Sequence, residues 1–385
     1  DIYQLSKASK QNEKKFVNLL CRYQVLVDCI FGTGLNRQVN GNLKKIIEKI
    51  NNSKKYIIAI DLPSGTKCDT GQILGISVKA NLTLWMGVYK PAHFLLPGKI
   101  QSGEKKIIKL NLKVPKKLKP NVNLIDSKVC NFLPDFKSDC NKYDRGHVLV
   151  IGGKMSGASR IVALVSRKIG CGLSTIGVSK NYLKYYNGVE VGTIVQEITK
   201  DLLKKKDVLV LGPGLGKNFD KEEIIFLLEA FKGPIVIDAD AISIFKDERK
   251  LFYQIIKKKK NIVLTPHKGE FNRLFNESEE SKLQNCIKAS RLINNSIVYK
   301  GNDTVVCFKG ENLWINHNAT ERLATAGTGD ILCGLISGLI AQKMNFRKAI
   351  LAGVYILGEL SQIKKNLIAE DFISSVSKIL LKLKK

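Results

Sequence analysis

Residues Asn318 to Gly334 read NATERLATAGTGDILCG, and this stretch decides the fold of the larger part of the chain. At its centre, Ala326-Gly327-Thr328-Gly329-Asp330 runs into Ile331, Leu332, Leu335, Ile336, Leu339 and Ile340. These apolar residues recur at helical spacing, which predicts a helix with Asp330 at or near its N-terminus. The first amides of a helix lack intrahelical partners, and the helix dipole favours an anion there. Gly327 and Gly329 let the backbone approach a phosphate with no Cβ in the way. A carboxylate at the mouth of such an anion hole can take the proton of a hydroxyl that accepts a phosphoryl group. A plain Gly-rich turn with an aspartate cap uses the same residues. GTGD alone leaves both readings open, and the surrounding chain must separate them.

Working backwards, short apolar runs alternate with helical patterns, and each run ends in glycine or polar residues. His147–Ile151 runs into Gly152-Gly153, and KMSGAS (Lys154–Ser159) then opens a helix carrying Ile161, Val162, Leu164, Val165 and Ile169. Small Gly157 and Ala158 leave room for a ligand at that helix start, although the spacing fails the GxGxxG dinucleotide fingerprint. Asp207–Leu211 runs into Gly212-Pro213-Gly214-Leu215-Gly216, and Ile235–Ile237 into Asp238-Ala239-Asp240. Ile262–Thr265 is followed by Pro266-His267-Lys268-Gly269-Glu270, and Ile297–Tyr299 by Lys300-Gly301-Asn302-Asp303-Thr304. This pattern predicts a doubly wound α/β domain with its ligand loops gathered at one edge of the sheet.

The first third repeats the logic on a smaller scale. Gln24–Ile30 is a strand leading into Phe31-Gly32-Thr33-Gly34-Leu35, Leu43–Ile50 an amphipathic helix, and Tyr56–Ile60 a second strand broken by Asp61-Leu62-Pro63-Ser64-Gly65. Strand, helix, strand at this spacing is a βαβ unit. Asp28, the glycine loop, Asp61 and Ser64 all fall at or beyond strand ends, where open α/β sheets bind ligands. Turn chemistry uses the same residue types. Between the two parts, Lys113–Pro120 holds two prolines and many charges and reads as an extended connector. The expected domains are therefore 1–117 and 118–385.

Composition narrows the partners. A formal net charge of +29 admits nucleic acid or an anionic membrane. The lysines are scattered in short runs without interleaved aromatics, so the expectation is general surface decoration, with neither nucleic acid nor membrane as partner. No apolar run reaches a membrane-spanning length, and no signal-peptide pattern opens the chain. Nine cysteines without a CxxC pair, beside only four histidines, carry no zinc-site spacing and suit free thiols in a reducing compartment. A cytoplasmic location is expected. The first residue is Asp1, so the expectation is that the natural N-terminus lies further upstream.

With these residues in view, two resemblances follow. Ala158, the GPGLG loop with Gly214 and Gly216, TPHKGEFNRLF with His267, Lys300-Gly301-Asn302-Asp303-Thr304, and AGTGD with Gly327, Gly329 and Asp330 occur in the order of the ADP-dependent NAD(P)H-hydrate dehydratases. That family is a branch of the ribokinase-like superfamily, and the resemblance covers about residues 125–385. It implies that Ala158, Gly214, Gly216, His267 and Asp330 contact the hydrated nicotinamide nucleotide. It further implies that 300–304, Gly327 and Gly329 contact the nucleotide donor. Glu321-Arg322-Leu323 and Ala326 depart from the family's usual wording. Residues Val25–Leu35, Ile58–Gly71 and Ala80–Gly98 resemble the later part of the NAD(P)H-hydrate epimerases. By that resemblance Asp28 and Ser64 help bind potassium. Gly32, Thr33, Gly34, Leu35, Asn36, Arg37, Gln38 and Asp61 would contact the hydrated nucleotide. The family's Asn- and Gly-rich upstream motif has no match here, so the expected epimerase site is incomplete.

The resulting expectation is two doubly wound α/β domains, the first Rossmann-like and partial, the second ribokinase-like. The second dehydrates NAD(P)H hydrate using ADP or ATP, with Mg2+ accompanying the nucleotide and K+ in the first half. Asp330 acts as base, and a homo-oligomer is expected. A small-molecule kinase of the same superfamily is the alternative; it needs neither PHKGE nor GPGLG nor an epimerase-like partner domain. A basic nucleic-acid binder on a degenerate enzyme fold is the third reading.

Overall fold

The computed structural model describes residues 10–111, 120–136, 138–278, 280–363 and 368–384. The chain forms two compact units, Asp1–Pro120 and Asn121–Lys385. Most of the expected connector, 112–119, and with it the expected boundary at 117, lies outside the described residues.

The first unit is a four-stranded parallel sheet whose spatial order follows the chain: β1 (Val25–Asp28), β2 (Tyr56–Ile60), β3 (Leu82–Met86) and β4 (Glu104–Ile108). The helix Gly41–Asn52 makes the first crossover. It turns Ile47 and Ile50 onto Ile57 and Ala59 of β2, the alternate residues that a pleated strand sends to one face. Leu35, Val39, Val78 and Ala80 complete this small core. Asp28 closes β1 and Asp61 follows β2, so both carboxylates sit at the carboxyl edge of the sheet.

The second unit carries ten strands: β5 (Val122–Ile125), β6 (His147–Gly152), β7 (Leu173–Val178), β8 (Ile194–Glu197), β9 (Val208–Leu211), β10 (Ile235–Ile237), β11 (Ile262–Leu264), β12 (Ser296–Tyr299), β13 (Val305–Phe308) and β14 (Asn312–Asn316). Their order is β5-β14-β13-β12-β11-β10-β9-β6-β7-β8. From β12 to β8 every neighbour is parallel, and β13 runs antiparallel between β12 and β14. Strands β9 to β13 are buried along their whole length, as expected of a sheet covered on both faces. Strand β5, just past the expected connector, pairs in parallel with β14 and so belongs to this unit.

The GTGD helix, Thr328–Ala341, is buried from Ile331 to its end. Gly334 and Gly338 let it settle closely on Val165 and Ser166 of the helix Ser156–Lys168 and on Ile169 just past its end. The chain order reverses between β6 and β9, and the loops that leave these strands meet there. Met155 donates its amide to Gly214 at 3.1 Å and Lys154 to Leu215 at 3.3 Å. Such switch points in open sheets form ligand crevices. Among the described residues, no helix is long and apolar enough to cross a membrane.

Candidate functional site

The GTGD helix begins where the sequence places it. Gly327 stands at its N-cap with φ +88°, a conformation that disfavours side chains. Thr328 Oγ1 donates to the carbonyls of Leu323 and Thr325 at 3.0 and 3.1 Å, tying the preceding loop to the helix start. A cleft of about 620 Å³ opens there. Its walls include Gly327, Gly329, Asp330, His267, Lys300 to Asn302, Thr304, Asp238 and the 320–325 loop. Burial raises the Asp330 carboxyl from the ordinary 3.8 to about 7, with a contribution from the neighbouring Asp238 charge that Lys300 partly offsets. A carboxyl at that value is half ionised near neutral pH, which suits a general base.

Strand ends deliver the other charges. Asp238, 2% exposed, follows β10 and pairs with Lys300 Nζ at 2.6 Å. Lys300 follows β12, and its Nζ also lies 3.7 Å from Glu270 Oε2. Burial disfavours the ammonium, but Asp238 and Glu270 outweigh it and hold Lys300 firmly protonated. Glu270 is the third residue of the helix Lys268–Phe275 and accepts the His267 amide at 2.8 Å. His267 Nδ1 accepts the Gly269 amide at 2.9 Å, leaving Nε2 to carry the proton of the neutral ring, 3.2 Å from Glu270 Oε1. Burial, then the Lys300 charge, lowers the His267 pKa. The loop beyond Lys300 is closed by Thr304 Oγ1, which donates to Gly301 O at 2.7 Å. Lys282 Nζ holds it from outside, donating to Asp303 Oδ1 at 2.6 Å and Lys300 O at 3.2 Å.

Gly214 and Gly216 take φ of +74° and +88°. A Cβ at Gly214 would sit 2.2 Å from Met155 O and 3.1 Å from Ala158 Cβ, so this loop lies directly on the start of the Ala158 helix. Gly216 donates its amide to Asp240 Oδ2 at 2.8 Å, and the Asp240 charge also reaches Asp330. Among the described residues, no group of three or more His, Cys, Asp or Glu side chains is placed to hold a metal ion by itself.

In the first unit, Ser64 Oγ donates to Asp28 Oδ1 at 2.6 Å and its amide to Oδ2 at 2.8 Å; Phe31 N donates to Ser64 Oγ at 2.8 Å. Burial nevertheless raises the Asp28 carboxyl. In the adjoining loop Gly32, Thr33, Gly34, Asn36, Arg37 and Gln38 are exposed, whereas the Leu35 side chain is buried in the core. A Cβ at Gly32 or Gly34 would meet nothing within 4 Å, so packing does not demand glycine there and the loop surface is open. Asp61, at φ +68°, pairs with Lys90 and accepts Met86 N at 3.0 Å. Its carbonyl is 2.7 Å from His93 Nε2, and the His93 ring stacks on Trp85. Burial lowers His93 to about 4.

The sequence profile of the NAD(P)H-hydrate dehydratases matches residues 148–380, more than half of the chain. This chain belongs to the NAD(P)H-hydrate dehydratase family. The profile of the YjeF-related N-terminal domain matches residues 2–92 of this dehydratase-family chain. A bifunctional NAD(P)H-hydrate repair enzyme from Dictyoglomus turgidum is 31% identical over 381 residues, covering 90% of this chain and 72% of that protein. The structure of an ADP/ATP-dependent NAD(P)H-hydrate dehydratase from Bacillus subtilis, co-crystallised with ATP and Mg2+, matches with TM-score 0.57 at 23% identity. It covers 68% of this chain and 99% of its own. A ribokinase-like superfamily protein from Enterococcus faecalis matches with TM-score 0.59 at 22% identity, covering 71% of this chain and all of its own. These two structures establish a ribokinase-like fold.

In this family member, one cleft gathers Asp330, Gly327, Gly329, His267, Lys300, Gly301, Asn302 and Thr304. Ala158, Gly214 and Gly216 form a separate cluster linked to Asp330 through Asp240, and Asp303 turns away to Lys282. Sequence reasoning assigned no role to Asp238, Glu270 or Lys282. Asp238-Ala239-Asp240 at a strand end and the PHKGE phrase were visible, but which cation they meet depends on tertiary structure.

Proposed function

We propose that the second unit dehydrates NAD(P)H hydrate by phosphoryl transfer from ADP or ATP. The carrying observation is Asp330, half-buried with its carboxyl raised to about 7, at the N-terminus of a glycine-capped helix lining the cleft. Asp330 takes the proton of the ring hydroxyl while the hydroxyl oxygen bonds to the terminal phosphorus, and the P–O bond to the leaving nucleotide breaks. The 327–329 amides stabilise the charge on the transferred group. Expulsion of phosphate with loss of a ring proton restores the dihydronicotinamide. His267 and the Ala158, Gly214 and Gly216 cluster contact the hydrate, and the 300–304 loop faces the nucleotide.

Magnesium supplies charge neutralisation on the nucleotide phosphates when bound. Asp330 and the neighbouring Asp238 and Asp240 are the carboxylates that would hold it beside the nucleotide phosphates. In the first unit, Asp28 and Ser64 offer hard oxygen donors suited to K+. The Gly32–Gln38 loop and Asp61 would contact the hydrate there. The protein acts on a small molecule in the cytoplasm as a homo-oligomer, with the sequence boundary between its domains near residue 117.

Product analysis tests the reading. With hydrate, Mg2+ and ADP or ATP, free phosphate and NAD(P)H are expected. Accumulation of a stable phosphorylated product would identify a kinase instead.

A further inference from the structure

Resting on that functional reading, we infer that Lys300 is a positioning residue that locks the His267 loop to the Asp330 helix through Glu270 and Asp238. The resemblance places Lys300 among nucleotide contacts, but its surroundings give it a different job. The ammonium lies between two carboxylates, 2.6 Å from Asp238 Oδ1 and 3.7 Å from Glu270 Oε2. Swinging it onto a phosphate would leave two buried carboxylates without their counter-charge.

The pair rests on the helix itself. A Cβ on Gly329 would lie 3.3 Å from Lys300 Nζ and 3.4 Å from Asp238 Oδ2. One turn on, Cys333 Sγ donates to the same Asp238 oxygen at 3.4 Å. Positions 329 and 333 share a helix face, so the ion pair seats along the first turn that presents Asp330. On its other side Glu270 holds both the amide and the ring of His267. Three loops, following β10, β11 and β12, are thereby fixed to one helix through one cation. A Cβ at 329 would lie in close contact with the pair, which would have to give by a few tenths of an ångström.

The charges that bear on the readouts are Asp238, Lys300, Asp240 and Glu270 around Asp330, and Lys300, Arg273, Asp238 and Glu270 around His267. The test uses the full chain with K300M, K300R and E270Q. The chain has four histidines, so ring-proton NMR resolves them, and H267Q assigns the His267 signal. In K300M the His267 pKa rises, because a nearby positive charge is lost. The turnover number falls roughly ten- to hundredfold, with KM for ADP or ATP little changed. K300R restores most of both. A raised nucleotide KM with an unmoved His267 titration would make Lys300 a phosphate clamp and overturn the inference. Should K300M not fold, E270Q keeps the Lys300–Asp238 pair and removes the negative charge that faces the His267 ring. Its His267 pKa then falls and its hydrate KM rises, and no change in either overturns the inference. If the parent protein leaves the hydrate untouched, the functional reading fails, while the titration still decides the positioning role.

Discussion

Replacing Asp330 by Asn separates the functional cost of this residue from its structural cost. The carboxyl sits at about 7 in the fold against an ordinary 3.8, because burial and the Asp238 charge disfavour its ionised form. A raised folded-state value means the native protein holds this proton longer than the unfolded chain. Stability from this group therefore falls as pH rises from about 4 to about 7, and the full penalty is present above that. The separation between the two values corresponds to at most roughly 4 kcal/mol at pH 8, and to roughly 1.5 kcal/mol at pH 5. Asp330→Asn is nearly isosteric and cannot ionise. Urea unfolding should show it more stable than the parent at pH 8 by about 2–4 kcal/mol, with a smaller margin at pH 5. The same change removes the base, so hydrate turnover falls by about 10²–10⁴. The parent's kcat/KM should rise with pH through about 7 as Asp330 ionises. A variant that keeps near-parent turnover, or whose stability margin is the same at both pH values, would refute the reasoning.

The other predictions bear on the scaffold and the first unit. Gly212→Ala puts a Cβ 1.7 Å from Asp238 O at φ +121°, and should lower the urea stability by about 3 kcal/mol while disturbing the Asp238–Lys300 pair. Asp61→Asn keeps a residue that tolerates the left-handed conformation but removes the Lys90 counter-charge, and should cost the first unit about 2 kcal/mol in thermal or urea unfolding. Ser64→Ala removes the hydroxyl hydrogen bond that helps restrain the raised Asp28 carboxyl and leaves the bond from the residue 64 amide in place. That value then rises further, and the loss of stability against the parent should be greater at pH 8 than at pH 5. With a mixture of hydrate epimers, dehydration should stop once one epimer is exhausted if the first unit is inactive, and run to completion if it works; chromatography of the residual hydrate reads the difference.

Much of this was legible because local signals and tertiary structure agree. The helix after GTGD and the strand Tyr56–Ile60 combine a clear period with glycine or proline at their ends, and both form where expected. Other features carry no local signature. β5 finds β14 across 190 residues, and pairing with that distant strand is what makes its four residues a strand. β4 reads EKKII, whose lysines hide its register beside β3. The Asp238–Lys300 pair joins residues 62 apart, at the ends of strands separated by β11. Aspartates at strand ends are common in turns, so the sequence could offer them as candidates, but only the sheet order shows which of them meets Lys300.

The central claim is that this chain repairs hydrated NAD(P)H. The direct measurement follows the near-ultraviolet absorbance band of reduced nicotinamide in purified protein given NADH hydrate and Mg2+, with ADP in one cuvette and ATP in another. The account predicts that the band returns in step with free phosphate in at least one of them, and that Asp330→Asn abolishes the return. A band that stays absent with both nucleotides would contradict it.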